Sequence, residues 1–240
     1  MKKNKKVLVT GASKGIGRAI CERLTQDGYE VTGIARTRPN DWPKSLPFHQ
    51  VDLADGKAVT DLLSTLSKAS PFYGLVNNVG IVPAGTLESV QSDQLHQAVT
   101  LNLEVAIKFT QALLSGMQTL DAGRVINISS RAALGKPERT VYSLTKAGMI
   151  GMTRTWALEL AARGITVNAI APGPIATEFF QRVNDESNAA TQRLLAGIPV
   201  GHIGKPEDVA HAVAYFMDPR CGYVTGQTHF VCGGVTIGAA

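Results

Sequence analysis

Tyr142 and Lys146 stand four residues apart in Thr140-Val-Tyr-Ser-Leu-Thr-Lys-Ala-Gly148. On a helix that spacing is about one turn, which puts the phenol and the ammonium on one face. A tyrosine with its ordinary pKa of about 10 is a poor base at neutral pH. A cation ~5 Å away, at an effective dielectric of ~20, favours the phenolate by about 3 kcal/mol, roughly two pKa units. A pair tuned in this way exchanges a proton with a carbonyl or an alcohol. By itself the spacing also describes an amphipathic helix with a solvated lysine, so its meaning depends on what the rest of the chain places beside it.

A second constellation lies near the N-terminus. A short apolar run leads into Thr10-Gly-Ala-Ser-Lys-Gly-Ile-Gly17 and then into a helical pattern. Glycines there let the backbone turn tightly and approach a diphosphate, and the following helix offers unpaired N–H groups at its positive end. The spacing is Gly-x-x-x-Gly-x-Gly, which is not the Walker phosphate loop. Gly11, Ser13, Lys14, Gly15, Ile16 and Gly17 are therefore the expected dinucleotide contacts. An acid at the end of the second strand would bind a ribose 2′-hydroxyl and repel a 2′-phosphate. The sequence there is Ala35-Arg36-Thr37-Arg38, without an acid. With Lys14 nearby, Arg36 and Thr37 suit a phosphate, so NADP(H) is expected rather than NAD(H). Asp52 and Leu53 end the third strand; Asp52 either bonds the adenine amino group or serves a turn.

Strand and helix signals that position these groups alternate along the chain. Strands are expected at 7–10, 30–35, 48–53, 74–77, 123–129, 165–170 and 228–232. Helices are expected at about 16–26, 57–67 and 93–117, around Tyr142 and Lys146 as far as about 163, and at 206–217. Continuous apolar strands joined by helices imply a parallel sheet covered on both faces. Right-handed crossovers make it doubly wound, and ligands bind beyond the C-terminal strand ends where the winding reverses. The expected fold class is α/β, a Rossmann fold in a single domain over residues 1–240 with a seven-stranded sheet.

Composition agrees with that architecture. The 240 residues are 44% hydrophobic and 18% charged, without a linker or repeat, enough for one sizeable core. No apolar run approaches ~20 residues, so no membrane span is expected. The basic start Met1-Lys-Lys-Asn-Lys-Lys6 lacks the apolar core of a signal peptide, and a cytoplasmic location follows as an expectation. Those lysines supply four units of the net charge of +5. They read as a solvated tail, because no nucleic-acid motif or interleaved aromatics accompany them. Cys21, Cys221 and Cys232 suit reduced thiols, and His229 with Cys232 has no partner pair at metal-ligand spacing, so no metal is expected.

Taken together, Thr10-Gly-x-x-x-Gly-x-Gly17, Asn77-Asn-Val-Gly80, Asn102, Ile128-Ser-Ser130, Tyr142-x-x-x-Lys146 and Pro172-Gly-Pro-Ile-x-Thr177 resemble the short-chain dehydrogenase/reductase family over nearly the whole chain. Two departures stand out: Val79 replaces the usual Ala, and Ser130 lies twelve residues before Tyr142 where thirteen is usual, the spacing of Ser129. Alignment of the strand Val-Ile-Asn-Ile-Ser-Ser favours Ser130. The resemblance implies that Tyr142 is the acid in reduction and the base in oxidation. It implies that Lys146 favours the phenolate and bonds the nicotinamide ribose, and that Ser130 orients the substrate oxygen. It also implies that Asn102 holds a water leading from Lys146 to solvent. Asn78 and Gly80 would line the cofactor, while Pro172, Gly173, Ile175 and Thr177 would reach its nicotinamide and diphosphate side.

The resemblance further implies a mobile lid at about residues 174–204 and a homotetramer, with a dimer as the alternative. Phe179, Phe180 and Leu195 either line a pocket or pack the lid. Arg131, Lys136 and Arg139 form a loop cluster that either steers an anionic acyl carrier or is simply solvated. The implied activity is hydride transfer between nicotinamide and a ketone or secondary alcohol. A 3-oxoacyl group on a carrier protein or small molecule is the first substrate class, and sugar, polyol or steroid oxidoreduction is the alternative. A non-catalytic dinucleotide-binding regulator would have lost Tyr142, Lys146 or Ser130, and all three are present.

Overall fold

The computed structural model describes residues 5–183 and 188–237. Seven parallel strands form one sheet in the order β3-β2-β1-β4-β5-β6-β7. They are β1 (Lys6–Thr10), β2 (Glu30–Ala35), β3 (Phe48–Gln50), β4 (Gly74–Asn77), β5 (Gly123–Ile128), β6 (Ile165–Pro172) and β7 (Thr228–Val231). The helices are α1 (Gly15–Gln26), α2 (Gly56–Leu66), α3 (Ser92–Val99), α4 (Val105–Thr119), α5 (Thr140–Leu160), α6 (Glu178–Val183), α7 (Ala189–Ala196) and α8 (Pro206–Met217). None of them is long and apolar enough to cross a membrane.

The apolar runs of the strands follow from burial on both faces. In β1, Val7 and Val9 pack with Ile20, Leu24, Val213 and Met217 beneath α1 and α8. Leu8, between them, points the other way into a core with Leu62, Phe109, Leu113 and Leu160, from α2, α4 and α5. Local chemistry sets the helix starts: the Asp55 carboxylate accepts from Lys57 N and Ala58 N at 2.9 and 3.1 Å to cap α2, and Pro206 opens α8. The winding reverses between β1 and β4, so the loops after these strands open a crevice at the C-terminal edge of the sheet.

Three boundaries differ from the sequence expectation. The helix expected at 93–117 is α3 and α4 joined by a π turn, Thr100–Glu104, which holds Asn102. Hydrophobic spacing does not reveal one extra residue in a helical turn. β3 ends at Gln50 rather than 53, because Asp52 bonds its own chain in a turn (Ala54 N donates to Oδ1 at 3.0 Å). β6 runs on to Pro172, and its C-terminal half pairs with β7 from Ala169↔Thr228 to Pro172↔Val231.

A buried polar chain crosses the sheet: Asn77 Nδ2 donates to Asn127 Oδ1 at 2.9 Å, and Asn127 Nδ2 donates to Thr153 Oγ1 at 2.9 Å. It fixes β4, β5 and α5 against one another below the crevice. An Asn127→Ala substitution strands buried groups on Asn77 and Thr153. It should lower stability by about 2 kcal/mol, seen as a lower urea midpoint with an unchanged slope.

Candidate active site

At the crevice, the loops after β1 and β4 are tied together. The Thr10 hydroxyl accepts from Asn78 N and Val79 N at 3.0 and 3.1 Å, and Asn78 Nδ2 donates to the carbonyls of Thr10 and Gly11 at 2.9 and 3.2 Å. Gly11 needs its freedom to adopt φ +69°, where a side chain would also meet Asn78. A Cβ on Gly17 would run into the Gly11 carbonyl and come 2.6 Å from Asn78 Nδ2. Gly17 thus serves contact between chain segments, and its flanking residue Ile16 packs toward the core. α1 starts at Gly15 with no side-chain cap from Lys14 and no acid in its first turn. Its first N–H groups are therefore left for an anion.

Over this loop lies a cavity of about 960 Å³. Gly11, Ser13 and Lys14 line it from the glycine loop, Arg36 and Thr37 from beyond β2, Asp52 and Leu53 from beyond β3, and Asn78 and Gly80 from beyond β4. Arg36 is exposed and forms no ion pair among the described residues. The Leu53 side chain is buried with Ile34 and Val59, so it is fixed while its position borders the cavity. His96, Gln97, Thr100 and Leu101 also line the cavity, and sequence reasoning passed over them. Their pairing at four-residue intervals on one helix face was the available signal. The volume and the uncapped helix end fit a dinucleotide.

The proton-handling groups gather where β5 meets α5. Lys146 is buried and its Nζ donates to the Ile128 carbonyl at 2.7 Å, while the Ser129 hydroxyl donates to the Lys146 carbonyl at 2.8 Å. Ser129 is thereby committed to backbone. Ser130, one residue on, is half-buried, caps the turn Arg131–Leu134 by accepting from Ala132 N at 3.1 Å, and lies near enough to the Tyr142 phenol to favour its ionised form. Of the two serines, Ser130 is the one that faces the phenol.

The direction of the tyrosine shift corrects the sequence expectation. Burial pushes the Tyr142 phenol above its ordinary pKa, opposed by the neighbouring Ser130 hydroxyl and the charge of Arg139. Lys146 Nζ lies 5.8 Å from the phenol ring centre and is itself held down to about 8 by burial. Desolvation of both groups outweighs the attraction a solvated pair would have, and the phenol stays protonated.

Asn102 is fully buried on its π turn. Its Oδ1 accepts from Ile81 N at 2.8 Å, and its Nδ2 donates to the Ile81 carbonyl at 3.0 Å and to Thr145 Oγ1 at 2.9 Å. The carboxamide thus ties the segment after β4 to α5 through Ile81 and Thr145. A Cβ on Gly80 would come 2.8 Å from Asn102 Oδ1 and 3.6 Å from Lys146 Nζ, so Gly80 is where the cavity and the proton-handling group meet.

At the end of β6, Pro172 pairs with Val231 and Gly173 lies beside Cys232; Ile175 is buried and paired with Gly204, and none of the three lines the cavity. Thr177 sits over Gly15 and its hydroxyl accepts from Phe180 N at 3.1 Å, at the start of α6. Lys14 Nζ approaches Glu178 Oε2 at 3.8 Å, joining the glycine loop to α6. Phe180 and Leu195 are half-buried; the Phe179 side chain lies outside the described ones. No group of three or more His, Cys, Asp or Glu among the described residues could hold a metal ion.

Residues 11–236 match the family model described as enoyl-(acyl carrier protein) reductase. The chain is 36% identical over 236 residues to a 3-oxoacyl-[acyl-carrier-protein] reductase FabG of Vibrio harveyi, covering 95% of this chain and 96% of that protein. It is 36% identical over 234 residues to an acetoacetyl-CoA reductase of Rhizobium meliloti, covering 95% and 96%. A solved structure from Agrobacterium tumefaciens, a candidate 2-deoxy-D-gluconate 3-dehydrogenase with bound NADP, superposes with a TM-score of 0.91 at 31% identity over 98% of both chains. The chain belongs to the short-chain dehydrogenase/reductase family. It is an oxidoreductase of the carbonyl-reducing kind, acting between a carbonyl and the corresponding alcohol.

The Lys146 shift carries a pH signature. Its folded pKa of about 8 lies below its ordinary 10.5, so the unfolded chain binds the extra proton between those values. Stability in the cofactor-free protein should therefore rise as pH rises from 8 to 10.5, from this group, and stay at its lower level below 8. Lys146→Met should abolish that rise in urea titrations at a series of pH values, relative to wild type.

Proposed function

We propose that the protein reduces the 3-oxo group of an acyl thioester with NADPH, and that Tyr142 donates the proton. The observation carrying this reading is the half-buried Tyr142 phenol, its pKa raised by desolvation, set between Ser130 and Lys146, with Gly80 bordering both Lys146 and the dinucleotide-sized cavity. A phenol held in its acid form suits reduction, which consumes a proton at the carbonyl oxygen. The 3-oxoacyl and acetoacetyl-CoA reductases among its relatives support the substrate class.

In this reading Gly11, Ser13, Gly15, Ile16 and Gly17 present backbone to the diphosphate, and Lys14, Arg36 and Thr37 hold the 2′-phosphate. Asp52, Leu53, Asn78 and Gly80 line the adenosine side; Pro172, Gly173, Ile175 and Thr177 bound the nicotinamide side. A dinucleotide held by these residues would supply hydride for the carbonyl carbon. Ser130 donates to the carbonyl oxygen and orients it against Tyr142, whose proton completes the alcohol. Lys146, poised near pH 8, bonds the ribose and returns a proton to the phenolate, and Asn102 fixes the strand-to-loop segment around it. The chain acts as one domain, with the expected lid at about 174–204, of which 184–187 lie outside the described residues, placed on the substrate side. It assembles as a homotetramer in a reducing cytoplasm, consistent with three free cysteines.

Tyr142→Phe should cut kcat by at least about a hundredfold with cofactor affinity largely kept, because general acid catalysis is worth that much. Ser130→Ala should lower kcat/KM far more than Ser129→Ala; the reverse order in steady-state assays with a 3-oxoacyl thioester would reassign the two hydroxyls. Arg36→Asp should shift the ratio of kcat/KM for NADPH over NADH by about tenfold or more toward NADH, from loss of a charge-assisted phosphate contact.

A further inference from the structure

The loop between Ser130 and Tyr142 carries charge that the reaction as described leaves unused. Arg131 opens the turn capped by Ser130, Lys136 follows Gly135, and Arg139 stands at the N-terminal boundary of α5, three residues before Tyr142. All three side chains are half-buried. The Lys136 ammonium is held below its ordinary pKa by burial and then by the charges of Arg131 and Arg139, which flank it in the same short loop. The charge of Arg139 also reaches the Tyr142 phenol.

No acid among the described residues pairs with them. None of the three forms an ion pair among the described residues, and Arg139 Nη1 donates instead to the backbone carbonyl of Glu138 at 2.7 Å. The backbone does not relax away from this arrangement. Glu138 holds the left-handed φ of +58°, unusual for a side chain of its kind, and Gly85 N donates to its carbonyl at 3.0 Å in a bridge to Arg139. Like charges brought together, partly out of water and beside a strained residue, repel one another unless an anion joins them.

We infer that the carbonyl substrate carries its own anion, a carboxylate or a phosphate, and that Arg131, Lys136 and Arg139 bind it next to Tyr142. The inference rests on the proposed carbonyl reduction at Tyr142 and adds the charge of the substrate to it. A carboxylate on the acyl chain and a phosphate on a pantetheine arm present the same chemistry to these cations.

Three probes separate the sources: acetoacetyl-N-acetylcysteamine, which is neutral; 3-oxoglutaryl-N-acetylcysteamine, with a carboxylate on the chain; and acetoacetyl-CoA, with phosphates on the handle. With NADPH, wild type should favour one anionic probe over the neutral one by about tenfold or more in kcat/KM, and Lys136→Gln or Arg131→Gln should remove most of that preference. The probe whose advantage disappears identifies the source. Arg154→Gln, an exposed cation elsewhere on α5, should leave the preference in place. A preference unchanged in both loop variants, or lost equally in Arg154→Gln, overturns the inference, while turnover of the neutral probe that depends on Tyr142 keeps the catalytic reading standing. If no probe turns over, the catalytic reading fails, and calorimetric titration with inorganic phosphate decides the anion site alone. Binding weakened in Lys136→Gln supports the site, and equal or absent binding overturns it.

Discussion

The site depends on an amine kept out of water. Lys146 has given up solvent for one backbone carbonyl, that of Ile128, and the Ser129 hydroxyl holds the Lys146 carbonyl in return. These two bonds lock the end of β5 to the second turn of α5, and Tyr142 stands one turn back along that helix. A buried ammonium without a full counter-charge is costly, so it sits easily between its two protonation states. The same desolvation acts on the phenol in the opposite sense. One low-dielectric pocket therefore raises the acid and lowers the base, which is the pattern a proton relay requires.

The cofactor half is built by a different device. Thr10 and Asn78 stitch the loop after β1 to the loop after β4 across the reversal in strand winding, with no charged group involved. The cradle is rigid because its polar groups already satisfy one another, and only the outward N–H groups of α1 are left for a ligand. Asn102 repeats the approach from below, spending its carboxamide on the segment that carries Gly80 and Ile81. Positioning is thus done by neutral amides and hydroxyls, and charge is reserved for the parts that face ligand.

Much of this was legible in the chain. The alternation of apolar strands with helices specifies the parallel sheet, because both sheet faces need covering and short local patterns report it. The glycine loop, Arg36, Ser130, Tyr142 and Lys146 were legible because each residue type has few other reasons to occur at that point of a strand-to-helix junction. The π turn was not, since the hydrophobic period of a helix hardly changes when one residue is added. The choice between Ser129 and Ser130 follows from which hydroxyl the Lys146 carbonyl captures, a contact seventeen residues away in sequence. The sign of the Tyr142 shift also escaped, because pairwise charge attraction can be judged from spacing whereas burial cannot. The role of Gly17 as a spacer against Gly11 likewise belongs to tertiary contact.

The residues proposed to read the ribose phosphate and those proposed to move the proton occupy separate connections of the sheet. Arg36 and Thr37 hang from the end of β2, and Ser130, Tyr142 and Lys146 from β5 and α5, with Gly80 as the joint between them. Exposed side chains on one connection can change without repacking the other. A lineage built on this plan can exchange its redox currency by altering surface charge at one strand end while inheriting its reaction chemistry intact.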